Sequence, residues 1–319
     1  MYTGEAYFCS GTQKSPNFSF TVYPTKLYTV LYIKTITQQV RRIKGTGLMS
    51  RAVKLAGLGT EDGILGAIVE VHNLGMKYHS LNGEVTALEN ISLTVEEGEF
   101  VSIVGPSGCG KSTLLSLIAG LLHPTEGSVI VGGRQVTGAA HQVGYMLQKD
   151  YLFEWRTIFE NVILGLEITR TLNNAARDRV LGLLETYGLL EFKDKYPNQL
   201  SGGMRQRAAL IRTLAVDPQI LLLDEAFSAL DYQTRLAVAE DIYGIIKREN
   251  KTAILVTHDI AESISMADRV VVMTKRPGTI KRFYSISLTC DRKTPINCRE
   301  APEFRYYFNK IWRDLDIHV

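Results

Sequence analysis

At residues 100–115 the sequence reads Phe100-Val-Ser-Ile-Val-Gly105-Pro-Ser-Gly-Cys-Gly110-Lys-Ser-Thr-Leu-Leu115. The first five residues predict a buried strand, and the leucines that follow predict one apolar face of a helix over 111–121. Between them, the spacing Gly-x-x-x-x-Gly-Lys-Ser is that of a loop whose backbone N–H groups surround phosphate oxygens at a helix N-terminus. The stretch therefore predicts a strand, a phosphate loop and a helix in succession.

The chemistry of this loop can be assigned position by position. Gly105 and Gly110 let the backbone approach a ligand, Lys111 reaches the β- and γ-phosphates, and the Ser112 hydroxyl ligates Mg²⁺. We expect Cys109 to be a small loop residue and not a nucleophile, because the sequence identifies no base to activate it. The alternative is a glycine-rich turn that arose by chance. The predicted nucleotide contacts are Gly105, Pro106, Ser107, Gly108, Cys109, Gly110, Lys111, Ser112 and Thr113.

A pair of acidic residues follows the apolar run Ile220-Leu-Leu-Leu223. A phosphate loop needs a second, acidic anchor for Mg²⁺, and Asp224 at the end of a predicted strand supplies it. Glu225 points differently and is placed to polarise an attacking water as a general base. The alternative is that both carboxylates only begin a loop or cap a helix. Together with the phosphate loop, the pair predicts a nucleotide-hydrolysing site.

Composition restricts the class of protein further. With 45% hydrophobic and 22% charged residues, the chain is an ordinary globular sequence. Its formal charge of +3 does not require a nucleic-acid surface, and we predict no nucleic-acid partner. The scattered Cys9, Cys109, Cys290 and Cys298 favour reduced thiols in a cytosolic compartment. No apolar run approaches the ~20 residues of a membrane span, and no secretory signal is recognisable, so we expect membrane contact only through a partner.

Elsewhere, short apolar strands alternate with helical periods, a pattern that favours an α/β fold with a parallel core. Few strand signals occur between the first helix and residue 214, which predicts an inserted helical subdomain. The predicted strands, besides 100–104, are 68–74, 87–95, 220–223, 252–256, 269–274 and 279–288. The predicted helices, besides 111–121, are 158–166, 175–187, 203–214, 232–248, 260–266 and 303–315.

Leu200-Ser-Gly-Gly-Met204, at the start of a predicted helix, resembles the signature sequence of the ATP-binding cassette family. The resemblance covers about residues 68 to 288 and implies the family's fold, a phosphate-loop NTPase core with a parallel sheet, an antiparallel β subdomain and an inserted helical subdomain. Further matches are Tyr78 to the adenine-stacking aromatic, Gln148 to the Q-loop glutamine, Ser228-Ala-Leu-Asp231 to the D-loop and His258 to the switch histidine. Tyr78 and His258 also have a plainer reading, in which each only packs in its loop.

The resemblance also implies a homodimer of two cassettes packed head to tail, with each ATP between one subunit's phosphate loop and the other's signature. Ser201, Gly202 and Gly203 would then contact ATP held by the partner, and a hydroxyl with backbone donors at a helix start suits an anionic γ-phosphate. Met204 departs from the Gln of the commonest signature, and we expect little loss from it. The implied roles are catalysis for Glu225, His258 and Gln148, Mg²⁺ ligation for Ser112, Gln148 and Asp224, and nucleotide contact for Tyr78, Asp224 and Asp231.

Three segments, around Trp155, at 276–278 and at 303–315, resemble cassettes that serve nitrate, sulfonate and taurine import. In the family, the aromatic-rich region after Gln148 forms a groove for a short cytoplasmic helix of the membrane subunit, although plain subdomain packing also explains its aromatics. The resemblance thus implies the motor of an importer, peripheral on the cytoplasmic face of the membrane. Its implied partners are permease subunits and an extracytoplasmic solute-binding protein.

We predict three segments in all: an N-terminal extension of unassigned fold over 1–66, the ATPase domain over 67–288, and a tail with a terminal helix over 289–319. Met49 is an alternative start of translation. Two other functions stay open at this point. A cassette ATPase acting on DNA or ribosomes would favour a long coiled coil or a second cassette, and the sequence has neither. A regulatory module that binds nucleotide without turnover is separated from a motor by measuring hydrolysis.

Overall fold

The computed structural model describes residues 66–80, 83–228, 230–290 and 293–315. Except for Gly66, the predicted N-terminal extension lies outside the described residues. The boundaries of the three predicted segments therefore stay predictions.

Strands and helices make up most of the described chain. In order, the strands are β1 (Ala67–Ser80), β2 (Gly83–Glu96), β3 (Phe100–Val104), β4 (Glu126–Val131), β5 (Arg134–Gln135), β6 (Val143–Met146), β7 (Ile220–Asp224), β8 (Thr252–Thr257), β9 (Arg269–Met273) and β10 (Ile280–Ser285). The α-helices are α1 (Lys111–Ile118), α2 (Ile158–Val162), α3 (Leu164–Thr169), α4 (Asn174–Thr186), α5 (Gly202–Leu214), α6 (Tyr232–Arg248), α7 (Ile260–Met266), α8 (Pro295–Glu300) and α9 (Phe304–Asp314).

The central sheet has six strands in the order β10-β9-β3-β8-β7-β6. Every pair in it is parallel except β9 with β10. A second sheet, in the order β2-β1-β4-β5, is antiparallel throughout. Helices α2 to α5 form an insert between β6 and β7. The predicted fold class, with its parallel core, antiparallel β subdomain and helical insert, is confirmed.

Both faces of the central sheet are covered, and the alternation along β3 shows how. Phe100 and Val104 belong to one hydrophobic cluster, whereas Val101 and Ile103 belong to the other. The first cluster joins the sheet to the helical insert, α6 and α7. The second joins it to α1 and to the antiparallel sheet. Because β3 is buried on both faces, the loop at its end has a rigid base.

The region between α1 and α2 differs from the prediction, which placed a helical subdomain directly after the first helix. Strands β4, β5 and β6 come before the insert instead. They have only two to six residues; β4 and β6 pair with β1 and β7, which lie far away in sequence, and β5 is a two-residue strand that pairs with β4. Such short strands depend on tertiary pairing, so local periodicity did not reveal them.

The bounds of three helices differ from those predicted. Helix α1 ends at Ile118 because the chain turns at Gly120, which has φ 70° and whose Cα lies so near Gly138 that a Cβ would be 2.0 Å from that carbonyl oxygen. The predicted helix over 158–166 is two helices, α2 and α3, that meet at Ile163. Between β10 and α9 lies α8, a short helix that was not among the predicted helices; Thr294 caps it and Pro295 is its first residue.

A buried asparagine fixes the loop that enters the helical insert. Asn161 is fully buried, and its amide oxygen accepts a hydrogen bond of 2.7 Å from the Phe153 N–H. Its amide nitrogen donates to the carbonyl oxygens of Phe153, Arg156 and Thr157 at 3.1, 3.1 and 2.9 Å. One side chain therefore holds both ends of the turn that carries Trp155.

Helix α9 packs the end of the described chain onto the core. Ile311 is fully buried, and the Asp314 carboxylate accepts a hydrogen bond of 2.5 Å from the Tyr284 hydroxyl on β10. None of the helices in the described part of the chain combines the length and the apolar run needed to cross a membrane.

Replacing Asn161 by Ala is expected to lower the free energy of unfolding by ~1–3 kcal/mol, because it leaves the part-buried Phe153 N–H and Arg156 carbonyl without the hydrogen bonds that the Asn161 side chain gives them. Denaturant unfolding of the purified chain measures the change. Asn309→Ala, at an exposed position of α9, is the matched control and should change stability by less than about 0.5 kcal/mol. Equal unfolding midpoints for the two variants would contradict the role of Asn161.

Candidate active site

The predicted site residues lie in loops that follow neighbouring strands of the central sheet. The phosphate loop follows β3, Asp224 ends β7, His258 follows β8 and Gln148 lies shortly after β6. These four strands are parallel and adjacent in the order β3-β8-β7-β6. Their carboxyl ends therefore meet at one edge of the sheet, which is where ligands bind in such folds.

The phosphate loop wraps tightly between β3 and α1. Gly110 is the N-cap of α1 with φ 104°, and a Cβ there would be 2.6 Å from a Leu88 methyl carbon, so glycine is required. The Lys111 ammonium lies inside the loop and donates to the carbonyl oxygens of Gly105 and Pro106 at 2.7 and 3.0 Å. Lys111 is buried at 6% exposure, so the loop encloses its charge. A loop of this shape presents a cation and the start of a helix to an anion.

Asp224 connects the phosphate loop to β7. Its carboxylate accepts hydrogen bonds from the Ser112 hydroxyl at 2.9 Å and from the Tyr145 hydroxyl at 3.2 Å. Burial raises the pKa of Asp224, while the bonds from Ser112 and Tyr145 act in the opposite direction. A nearby cation would offset the cost of holding this carboxylate charged.

The oxygen atoms at this edge suit Mg²⁺, which prefers oxygen ligands and nucleotide phosphates. Ser112 and Asp224 supply a hydroxyl and a carboxylate 2.9 Å apart, and the side-chain amide of Gln148 lies at the next strand end. The residues present therefore fit the metal that the sequence predicts.

Glu225 is directed away from Asp224 by its backbone. It has φ 46°, in the left-handed region that non-glycine residues rarely adopt, and this turns the chain sharply at the end of β7. One carboxylate oxygen accepts a hydrogen bond of 3.1 Å from Gln148 Nε2, and the other lies 3.6 Å from His258 Nδ1. Gln148 also donates to Ser228 at 3.3 Å. The three predicted catalytic side chains are thus in one group.

A cleft of about 260 Å³ runs along the phosphate loop. Tyr78 lies on its rim, 36% exposed, with its hydroxyl 3.3 Å from Thr113 Oγ1. Glu225 lines the same cleft as Tyr78 and Lys111. The full lining is Tyr78, Val85, Ala87, Ser107, Gly108, Gly110, Lys111, Ser112, Thr113, Glu225 and Arg276.

The signature sequence lies apart from this cleft. Ser201 is the exposed N-cap of α5, and its hydroxyl accepts a hydrogen bond of 3.3 Å from the Met204 N–H. Among the described residues that line the cleft, neither Ser201 nor Gly202 nor Gly203 occurs. Met204 packs its side chain against the core, so the departure from Gln leaves the Ser201 cap in place.

Asp231, the predicted D-loop contact, caps a helix in this structure. Its side chain accepts a hydrogen bond of 3.1 Å from the Thr234 N–H at the start of α6. The side-chain and backbone hydrogen bonds of Thr234 lower the pKa of Asp231. The structure therefore gives Asp231 a local capping contact and places it outside the cleft.

Helix α5 is tied to the loop that carries Gln148. The Asp150 carboxylate accepts from Arg205 Nε at 3.2 Å, and Arg205 also donates to the Leu200 carbonyl at 2.7 Å. Further along α5, Arg212 donates to the carbonyl oxygens of Asp150 and Tyr151 at 2.6 and 2.8 Å. Movement of the signature helix is therefore linked mechanically to the Gln148 loop.

Two site residues were missed by the sequence analysis. Tyr145 lies on the short strand β6, which periodicity did not reveal, and it bonds to Asp224. Arg276 follows β9, the other neighbour of β3, and donates from Nε and Nη2 to the Gly108 carbonyl at 3.1 and 3.0 Å. The signal for Arg276 was its position just after a predicted strand, because residues that follow parallel strands lie at the same edge of the sheet as the phosphate loop.

Known proteins resemble this chain over most of its length. The family model described as ABC transporter matches residues 88–228. An uncharacterized ABC transporter ATP-binding protein of Bacillus subtilis (strain 168) is 47% identical over 78% of this chain and 96% of that protein. A nitrate import ATP-binding protein of Synechocystis sp. is 42% identical over 76% of this chain and 93% of that protein. A taurine import ATP-binding protein of Roseobacter denitrificans is 39% identical over 79% of this chain and 96% of that protein.

The fold has a solved counterpart as well. A dimeric ATP-binding cassette in a post-hydrolysis state, bound to ADP and Pi, superposes with a TM-score of 0.60 at 32% identity. The alignment covers 69% of this chain and 99% of that chain. These similarities confirm the resemblance that the sequence motifs indicated. The chain therefore belongs to the ABC transporter family of ATP-binding proteins and is an ATPase of the cassette type.

Proposed function

We propose that this ATPase is the motor subunit of an importer, which hydrolyses ATP between two copies of the chain and drives a separate membrane permease. The observation that carries the proposal is the convergence of Glu225, Gln148 and His258 beside the phosphate loop. Nucleotide binding alone needs the loop and its acidic anchor, whereas this additional group is what water activation requires.

In the proposed reaction, the backbone N–H groups of the phosphate loop and Lys111 hold the ATP phosphates. Tyr78 stacks on the adenine from the rim of the cleft. Ser112, Asp224 and Gln148 would hold Mg²⁺, which would neutralise part of the negative charge of the ATP phosphates.

Glu225 takes a proton from the attacking water, because it lines the cleft and a neighbouring side chain lies beside each of its carboxylate oxygens. Gln148 donates to one of its oxygens, and His258 lies beside the other. His258 is 54% exposed on its side chain, so its ring is free to reach a γ-phosphate in the cleft. The strained backbone at Glu225 holds the carboxylate in this direction.

The dimer is proposed to complete the site. Ser201, Gly202 and Gly203 stand at the N-terminus of α5, where unpaired N–H groups and the helix dipole favour an anion. Within one chain they do not line the phosphate cleft. A second copy packed head to tail would bring these donors, with Asp231 nearby, onto the γ-phosphate. The dimeric form of the solved cassette with ADP and Pi supports this arrangement.

Glu225→Gln is expected to lower the steady-state rate of ATP hydrolysis by ~10²–10⁴-fold while ATP still binds, because the amide cannot accept the water's proton. Phosphate release and equilibrium ATP binding measure the two effects. Glu97→Gln, at an exposed position between β2 and β3, is the matched control and should keep the full rate. Hydrolysis that persists in Glu225→Gln would contradict the role of general base, and absence of hydrolysis in the unmodified chain would favour a regulatory module.

The permease is proposed to dock beside the helical insert. A mostly apolar groove of about 690 Å³ runs from Ser112 and Asp224 at the phosphate loop, past the Gln148 loop, to α3 and α5. Phe153 and Ile168 line its far part. Trp155 stands next to it with 74% of its surface exposed and stacks on Phe153 at 4.8 Å between ring centres. An exposed aromatic beside an apolar groove suits a short helix of a membrane subunit. Docking there would reach Gln148 directly.

Trp155→Ala is expected to weaken binding of the permease at least tenfold, because exposed aromatic anchors are frequent hot spots of helix-in-groove interfaces. The measurement is the amount of permease that co-purifies with the chain in detergent, when the chain is produced together with the permease encoded beside its gene. Tyr306→Ala, which removes an exposed aromatic from α9, should leave co-purification unchanged. Equal recovery with both variants would remove the groove as the docking site.

Cargo and location are proposed from the relatives alone. Nitrate and taurine import proteins, and an aliphatic sulfonates import protein of Bacillus licheniformis at 39% identity, point to nitrate, a sulfonate, taurine or a similar small solute. An extracytoplasmic solute-binding protein would deliver it, and the ATPase would sit on the cytoplasmic face of the membrane without a nucleic-acid partner. Uptake of these solutes by cells with and without the chain separates the cargoes.

A further inference from the structure

Two cysteines outside the ATP site lie in contact. The sulfur atoms of Cys290 and Cys298 are 3.6 Å apart, and both are free thiols. A disulfide bond has an S–S length of about 2.05 Å, so closure requires an approach of about 1.5 Å. Pairs at this distance are within reach of oxidation without a large rearrangement.

The backbone around the pair allows this approach. Cys298 is fully buried on α8, where its N–H donates to the Thr294 carbonyl at 2.9 Å. Helix α8 is held in turn by the Glu240 carboxylate, which accepts from the Ile296 N–H at 3.0 Å. Cys290 lies in an irregular segment after β10 and is only partly buried. Cys298 is therefore held by its helix and by burial, whereas Cys290 lies outside the helices and strands, with its Sγ 3.9 Å from the Leu288 carbonyl oxygen.

The environments of the two thiols differ in a way that suits stepwise oxidation. Burial, together with the neighbouring Cys290, raises the pKa of the Cys298 thiol to about 12. Cys298 is thus protonated and shielded from solvent at neutral pH. Cys290 is the sulfur that a solute can reach first.

We propose that Cys290 and Cys298 are a redox modification site that forms a reversible intramolecular disulfide with a hydroperoxide as oxidant. The Cys290 thiolate attacks hydrogen peroxide, the O–O bond breaks, and Cys290 sulfenic acid and hydroxide are formed. Cys298 then attacks the sulfenic sulfur, the S–O bond breaks, and the Cys298 proton leaves with the hydroxyl as water. Two thiols are oxidised by two electrons and one peroxide is reduced.

The Cys290–Cys298 disulfide would lie close to the helices that support the His258 loop. The disulfide would fasten the segment before α8 to α8 itself. That helix packs against α6 and α7, and α7 begins two residues after His258. The disulfide would therefore act on α8, which packs against the helix that follows His258, and it would leave the phosphate loop unchanged.

The test treats the reduced full-length chain with hydrogen peroxide, blocks remaining thiols with N-ethylmaleimide after denaturation, and maps tryptic peptides by mass. The expected product links peptides 283–292 and 294–299, weighs two hydrogen atoms less than the pair of reduced peptides, and separates on treatment with dithiothreitol. Most of the chain should carry this link.

Cys290→Ser should abolish the linked product, and Cys9→Ser should retain it as the matched control. Oxidation of Cys290 to sulfinic or sulfonic acid without the link would overturn the proposal. So would a dominant link from Cys290 to Cys9 or Cys109. Because the readout is a peptide mass, it is independent of ATP hydrolysis and of any permease.

Discussion

Parallel pairing of β3 with β8, and of β7 with β8 and β6, brings four strand ends to one edge of the central sheet. Strands β3, β7 and β8 are buried at every position, so a slip in register would break the packing contacts that their side chains make on both faces of the sheet. The bond between the Ser112 hydroxyl and the Asp224 carboxylate then joins the loops of two strands that are not adjacent. Site geometry therefore follows from strand register.

The residues at this edge also connect the hydrolysis site to helix α5 and to the proposed docking groove. Gln148 touches Glu225, and the loop that carries Gln148 is bonded to α5 through Arg205 and Arg212. Ser201 is the N-cap of α5. A contact at the signature is therefore connected to Glu225 through α5, the bonds of Arg205 and Arg212 to the Gln148 loop, and Gln148 itself. The apolar groove beside Trp155 borders the same loop. A nucleotide, a second cassette and a permease would thus all act on one small group of residues.

The sequence predicted the elements whose pattern is local. The strand and helix around the phosphate loop, the acidic pair at the end of β7 and the helices α5 and α6 were all evident, because their signals lie within a few residues. Strands β4 and β6 were missed because their partners β1 and β7 are distant in sequence, and β5 was missed because it has only two residues. Arg276 and Tyr145 escaped notice for the same reason, since only the strand order shows that they reach the phosphate loop and Asp224.

A composite site between two chains is the central claim, and cysteine cross-linking tests it most directly. A tagged Ser107→Cys chain is mixed with an untagged Ser201→Cys chain, both carrying Glu225→Gln, and a short bismaleimide is added with or without Mg²⁺ and ATP. Both serines are exposed, and within one chain Ser201 does not line the phosphate cleft. The account predicts a mixed cross-linked dimer that forms only with ATP. A cross-link that is independent of ATP, or none in its presence, would contradict the shared site.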